Sequence, residues 1–399
     1  MINQEFSNID GLRLRDWQIS ALTKWITNGF RGIAEVATAG GKTRFALECA
    51  EIFLQNHPGG KVIIVVPTTA LQDQWSVTIS QLYKISLTEI STWSDNIDLS
   101  ATFQVIVVNT ARQKAQQINE LNWNILLIAD ECHRYASAQN SKTFAITCNA
   151  TLGITATAER DYDDGLNEVL KPNLGPIIFE YSLLEASRDE VISPFEMVNV
   201  QVLLSAEEQR EYDQFSRRIG IAVREMDFEK VKRLSILRSS VSKRAQVRIV
   251  CACSIVFSNP GKRIVVFHEE IESAEEILST LKVRGIKCVI YHSRLSPQLR
   301  RYNLRMFRSG LSDVLVCIRA LDEGVDIPEA ELAIIAASTS SNRQRVQRIG
   351  RVVRKFQGKS LAKIYSLYAT DLERDKLIYE SSALAGVSGV SWMRMDVKP

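Results

Sequence analysis

Eight short β-branched runs constrain this chain of 399 residues more than any other feature. Four lie in the first half: "KVIIVVP" (61–67), "FQVIVVN" (103–109), "NILLIAD" (124–130) and "TLGITAT" (151–157). Four more lie in the second: "RIVVFHE" (263–269), "KCVIYHS" (287–293), "VLVCIRA" (314–320) and "LAIIAAS" (332–338). Near-continuous apolar character, without alternation, suits strands buried on both faces, as in a parallel sheet. Helical segments lie between the runs. "KTRFALECAEIFLQNH" gathers Phe45, Leu47, Ile52 and Phe53 near one face and stops at Pro58-Gly59-Gly60. "SAEEILSTLKVRG" and "SPQLRRYNLRMFRSG" serve the second half. Strand and helix alternate twice over, which predicts two doubly wound α/β domains.

Between the halves the character changes. Ser205-Ala206-Glu207-Glu208 is a capping-box signature that opens a polar helical stretch. From Glu208 to Arg248 there are 11 Lys/Arg against 6 Asp/Glu. Two readings stay open: a solvated helix pair linking the lobes, or a helical arm that touches a phosphate backbone. The expected organisation is a first α/β domain over 1–185 and a helical linker or arm over 186–255. A second α/β domain covers 256–380, and 381–399 forms a loose tail or docking peptide.

Composition excludes more than it selects. A net charge of +3 is too small to imply nucleic acid without local clusters. Seven scattered cysteines with no C-x-x-C pair argue against a zinc site or a disulfide framework and suit a reducing cytosol. No run of about 18 apolar residues exists, so no membrane partner is expected.

Chemistry enters at "EVATAGGKTRFALECA" (35–50). Gly41-Lys42-Thr43 is the end of a phosphate-binding loop, although Val36 stands where G-x-x-x-x-G-K-[ST] asks for glycine. Such loops aim backbone N–H groups at phosphate from a helix N-terminus, with lysine on the β/γ-phosphates and a hydroxyl on Mg²⁺. Backbone must approach phosphate closely, and Gly40 and Gly41 supply the missing side chains where this matters. The second signal is "LLIADECHRY" (126–135), a buried run that delivers Asp130 and Glu131 at its C-terminal end. Asp130 can hold the metal and Glu131 can polarise an attacking water. Arg348, Arg351 and Arg354 recur at spacings of three, so they share a helix face. Phosphoryl transfer needs such cations at the γ-phosphate.

With "ATAGGKT", "DECH", "TAT" (155–157), "RALDEGVDIP" (319–328) and "QRIGRVVR" (347–354) in this order, the chain resembles superfamily 2 helicases. It looks most like the DExH group of the excision-repair helicase XPB and the type III restriction motor subunits. "LRDWQISAL" (14–22) and "VVPTTALQDQW" (65–75) fit as well, so the likeness runs from about Leu12 to about Tyr368. The resemblance implies two tandem RecA-like domains with ATP and Mg²⁺ in a cleft between them. It implies that Gln18 reads the adenine edge and that Ala39, Gly40, Gly41, Lys42 and Thr43 bind phosphates. Thr43 and Asp130 would hold the metal, and Asp326 would meet the ribose. His133, Thr155 and Thr157, with Gln347 and Arg348, would couple the site to nucleic acid. Arg351 and Arg354 would act as fingers.

The chain departs from the family pattern at several points. Ala39 stands where such loops usually carry glycine, Ala158 replaces the usual proline after "TAT", and Cys317-Ile318 replaces a small residue and a threonine. By the same resemblance, nucleic acid would touch Thr68, Thr110, His268, His292 and Ser293. Trp17, Trp75 and Trp93 are candidates for base stacking, with helix-to-sheet packing as the other reading of Trp17 and Trp75.

The function expected is an ATP-driven DNA helicase or translocase in repair, restriction or phage defence, with 3′-to-5′ polarity implied by the resemblance. Alternatives are an RNA helicase, a nucleotide-gated DNA-binding module serving a nuclease or repair partner, and a plain small-molecule ATPase or kinase.

Overall fold

The computed structural model describes residues 13–37, 40–93, 97–158, 164–318, 329–337, 361–384 and 386–396. The chain divides into two compact units, with the break between Ala186 and Ser187.

The first unit holds strands β1 (Arg31–Val36), β2 (Lys61–Val66), β3 (Ile90–Ser91), β4 (Phe103–Val107), β5 (Ile125–Asp130), β6 (Ala150–Thr155) and β7 (Ile177–Tyr181). All pair in parallel, in the order β3-β4-β2-β5-β6-β1-β7. Helices α1 (Asp16–Thr27), α2 (Lys42–Asn56), α3 (Thr69–Tyr83) and α4 (Val108–Glu120) accompany them, with the short α5 (Lys171–Leu174) and α6 (Leu183–Arg188) near the end. Every residue of β5 and β6 is buried, as continuous apolar runs require of inner parallel strands. The run 103–109 ends early because Val108 already opens α4.

The three adjacent strands β5, β6 and β1 position the site. Being parallel, they end at the same edge of the sheet. The segments that follow them, 131–136 and 156–158 together with Ala37, Gly40 and Gly41, therefore meet there. Asp130 lies beside Ile154 and Glu35 beside Thr155 in the register.

The second unit repeats the architecture with β8 (Phe195–Gln201), α7 (Ala206–Arg224), α8 (Phe228–Arg244), α9 (Gln246–Phe257), β9 (Ile264–His268), α10 (Ile271–Val283), β10 (Cys288–Tyr291), α11 (Pro297–Arg308), β11 (Val314–Ile318), β12 (Leu332–Ile335), β13 (Ala362–Tyr368), α12 (Asp371–Ala383) and β14 (Gly389–Arg394). Its sheet runs β10-β11-β9-β12-β13-β8-β14, again parallel throughout.

Two expected boundaries are corrected here. The 186–255 stretch is not a linker: β8 pairs with β13 along its whole length, and Cys251, Ala252 and Ile255 of α9 are buried in the second unit's core. Only α7 and α8 remain as a surface hairpin, opened by the Ser205/Glu208 capping box. Nor is the end of the chain a loose tail, because β14 pairs with β8 as the edge strand. Both strands escape a reading by apolar runs for physical reasons. In β8, Glu196 and Asn199 interrupt the pattern, and Asn199 is nevertheless fully buried, donating to Ser381 Oγ at 3.4 Å. In β14 most side chains face solvent, so no apolar run is required.

Candidate active site

The phosphate loop begins where β1 ends. Val36 is fully buried, and a Cβ placed on Gly40 would lie 2.6 Å from its Cγ1 and 2.9 Å from the Ala37 carbonyl oxygen. Valine at the position of the leading glycine is thus accommodated, and it makes the bare backbone of Gly40 obligatory. Gly41 has φ 102°, in the left-handed region that favours glycine, and sets the N-terminus of α2. Lys42 and Thr43 follow in the first turn.

Helix α1 clamps this loop. Arg15 Nη1 donates to the Gly40 carbonyl at 2.6 Å, and Gln18 Nε2 donates to the Gly41 carbonyl at 3.1 Å. Gln18 Oε1 in turn accepts from the Arg15 backbone at 2.9 Å. Both ends of the Gln18 amide are therefore engaged by protein, and a bidentate adenine contact requires exchanging these bonds. Arg15 was not among the residues singled out by motif; a cation two residues before Trp17 carries no signal until the fold brings it to Gly40.

The acidic pair sits opposite. Asp130 is 6% exposed; its Oδ1 accepts from the Glu131 backbone at 2.9 Å and its Oδ2 from Trp75 Nε1 at 2.8 Å. Burial first, and the Glu131 charge second, hold the Asp130 carboxyl above the usual carboxylate range, while Lys42 and the Trp75 indole pull it down. Glu131 adopts φ 49° and ψ 50°, a left-handed conformation that costs a residue with a side chain roughly 1–2 kcal/mol. Its carboxylate lies 3.7 Å from Lys42 Nζ and 3.5 Å from His133 Nδ1.

His133 extends the path. Its Nδ1 is 2.8 Å from Thr155 Oγ1, and Thr155 Oγ1 donates its only hydrogen to the Thr157 carbonyl at 2.8 Å. The hydroxyl must then accept from the ring, which assigns the proton to Nδ1. A continuous polar path thus runs Lys42–Glu131–His133–Thr155–Thr157, from the start of α2 to the loop after β6.

Other expected residues are placed differently. Thr68 caps α3, its Oγ1 accepting from the Leu71 backbone at 3.3 Å, and Thr110 is half-buried within α4. His268 is fully buried, with Nδ1 accepting from the Glu270 backbone at 3.1 Å, and His292 is buried with Nε2 3.7 Å from Glu275. Neither ring is open to a phosphate backbone in this conformation; of these candidates Ser293 is the exposed one. Trp17, Trp75 and Trp93 are all buried, so base stacking by them is corrected as well. Trp17 stacks on Tyr181 at 5.0 Å, and Trp93 Nε1 donates to Gln104 Oε1 at 2.6 Å. Trp75 has a role that helix packing alone does not express, since its buried indole N–H finds its acceptor on Asp130. Ala39, Asp326, Gln347, Arg348, Arg351 and Arg354 lie outside the described residues.

Comparison with known proteins agrees with this geometry. Residues 11–160 match the family model described as the type III restriction enzyme res subunit, and residues 245–356 match the helicase conserved C-terminal domain. A protein of Sulfurisphaera tokodaii named DNA 3'-5' translocase XPB2 is 28% identical over 374 residues, covering 88% of this chain and 81% of that one. A putative DNA 3'-5' helicase Rad25 of Haloarcula marismortui is 26% identical over 347 residues, and the match spans 86% of this chain but about half, 51%, of that protein. Among solved structures, S. cerevisiae Dbp5 bound to RNA and ADP BeF3 aligns with a TM-score of 0.64 at 15% identity over 96% of this chain and 90% of that one. The Pyrococcus furiosus Hef helicase domain aligns at 0.58 and 18% identity over 93% and 98%. At these identities the structural likeness speaks for the fold alone: tandem RecA-like domains.

Proposed function

We propose that the chain is a superfamily 2 helicase on the side of XPB and the type III restriction motor subunits, and that it acts as an ATP-driven DNA translocase or helicase with 3′-to-5′ polarity. The observation that carries the reading is the unbroken path from Lys42 to Thr157. It joins the lysine of a phosphate loop to a loop after the neighbouring strand through an acid, an imidazole and a hydroxyl. Such a path lets the state of a nucleotide be felt elsewhere, which a motor needs and a simple phosphatase does not.

The residues suit Mg²⁺ and a triphosphate. Among the described residues two adjacent carboxylates, Asp130 and Glu131, face one ammonium, Lys42. This local excess of negative charge suits a divalent cation, and among the described residues no group of three or more His, Cys, Asp or Glu forms a metal site elsewhere. Thr43 and Asp130 would hold the ion, which when bound neutralises charge on the phosphates. Lys42 and the amides at the start of α2 would bind the phosphates. Glu131 would orient and polarise the attacking water. Arg351 and Arg354 are proposed as the cations that meet the γ-phosphate, and Asp326 as the ribose contact. The exposed Arg217, Arg218, Lys232 and Arg233 of the α7–α8 hairpin are proposed to grip the DNA backbone.

Seven free cysteines, six of them buried, fit a cytosolic setting. Among the described residues no helix is long and apolar enough to cross a membrane. A nuclease or repair protein is proposed as the partner.

The test is ATP turnover measured without nucleic acid and with single-stranded DNA, duplex DNA and RNA. Stimulation by DNA is expected, and stimulation by RNA alone overturns the choice of substrate. Lys42→Ala should lower turnover by at least about 100-fold, the scale of losing a key charge-stabilising group. Turnover that survives this change sinks the assignment of the site. Strand displacement by the purified protein then decides whether a partner is needed for unwinding.

A further inference from the structure

The loop after β6 is held on a second side, by a residue that no motif picks out. Glu35 lies in β1, one residue before Val36, and its Oε2 accepts a hydrogen bond from the Ala158 backbone N–H at 3.0 Å. Ala158 is fully buried, so this N–H would otherwise be an unsatisfied donor in the core. Glu35 is also the register neighbour of Thr155, the hydroxyl that receives His133. The four-residue segment 155–158 is therefore pinned at both ends: Thr155 from β5 through His133, and Ala158 from β1 through Glu35.

The second pin needs a residue with a backbone N–H at position 158. Proline, the residue usual at 158 in the family that the chain resembles, has no N–H and could not make the bond. Where proline stiffens such a loop by its ring, this chain has a hydrogen bond instead. The bond also joins the two loops mechanically. Glu35 is followed directly by Val36, whose side chain abuts Gly40, so the end of β1 is shared by the phosphate loop and the 155–158 loop. These contacts offer a route from Gly40 through Val36 and Glu35 to Ala158 that does not pass through Glu131 or His133.

We infer that Glu35 is a positioning residue that ties the 155–158 loop to the phosphate loop, in parallel with the His133 path, and so sets how strongly nucleic acid stimulates turnover. The inference rests on the motor reading given above. Its test compares Glu35→Ala with Glu35→Gln, which keeps an oxygen acceptor, in the full chain. Three readouts are taken: amide hydrogen exchange of the segment around Ala158, KM for ATP, and the ratio of DNA-stimulated to basal turnover. Glu35→Ala should speed exchange at Ala158 and lower the ratio about fivefold, the order of one ordinary hydrogen bond lost, with KM and basal turnover within about twofold. Glu35→Gln should restore most of both. In the Ala158→Pro background, where the donor is absent, Glu35→Ala should lower the ratio clearly less than it does in the wild-type background. An equal drop in the two backgrounds overturns the inference, and so does unchanged exchange at Ala158. A wild-type protein that DNA does not stimulate defeats the motor reading instead, and the exchange experiment still decides whether the tie exists.

Discussion

Each unit buries charge, and the two do so in opposite ways. In the second unit Arg248 is fully buried and saturated. Its Nε donates to the Ser242 carbonyl at 2.7 Å, and its Nη1 donates to the Ala336 and Leu367 carbonyls at 2.9 and 3.0 Å. Its Nη2 meets both oxygens of Glu373 at 2.7 and 2.6 Å. Glu373 also accepts from the backbone of Ala369 and Thr370. Burial alone would raise the Glu373 carboxyl, but Arg248 and these hydrogen bonds outweigh it and hold it below the usual range. In the first unit the opposite sign survives: Asp130 is held up because Lys42 and Trp75 do not offset burial and Glu131. A complete network locks a fold, and an incomplete one waits for a ligand. The same elements, buried ions beside the C-terminal ends of parallel strands, thus serve architecture in one unit and the proposed chemistry in the other.

The contrast can be broken experimentally, most forcefully at its saturated end. Arg248→Met leaves the partly exposed Glu373 without its guanidinium and the Ser242, Ala336 and Leu367 carbonyls without their donor, and should destabilise the second unit by roughly 2–4 kcal/mol in denaturant unfolding. A cost under about 1 kcal/mol would mean that the network is incidental. Replacing both partners by apolar residues should recover the part of the loss that lies in the orphaned charge.

A smaller effect concerns His268, close to the same arginine. Burial first and Arg248 second push its pKa down to about 4, against the Glu269 charge, which favours the charged form. Between about 4 and the unfolded value near 6.5 the unfolded chain takes up a proton that the folded chain refuses. Stability should therefore fall as pH drops through this window, by up to about 3 kcal/mol, and the contribution should level off below it. His268→Gln should flatten the slope in thermal unfolding against pH. An unchanged slope would assign it to other groups.

The gentlest probe falls on the incomplete end. Trp75→Phe keeps an aromatic ring and removes the donor to Asp130, at a stability cost of about 1–2 kcal/mol. With Asp130 holding the metal as proposed, turnover should fall roughly 10-fold. If stability falls and turnover does not, the Trp75 bond belongs with the architectural networks of the second unit.

How much of this was legible in advance differs by element. Runs such as 61–67 and 124–130 announce β2 and β5 because an inner parallel strand must be apolar on both faces. Lys42, Thr43, Asp130, Glu131 and His133 stand out because phosphate chemistry needs those groups directly after a strand or at a helix start. Strands β8 and β14 escape, one broken by buried Asn199 and the other exposed at the edge. His268 and His292 look like backbone contacts at strand ends and prove to be interior.

The sequence by itself determined the class of each unit and singled out the groups proposed to bind phosphate and metal, since these follow from local periodicity and from chemistry carried by a few adjacent residues. Only the tertiary structure decided which groups restrain them: Arg15 on Gly40, Trp75 on Asp130, Glu35 on Ala158. Those bonds join residues 25, 55 and 123 positions apart, and no local rule ties such separations to one another. They exist because parallel strands, brought side by side by burial of their apolar faces, end together at a single edge of the sheet.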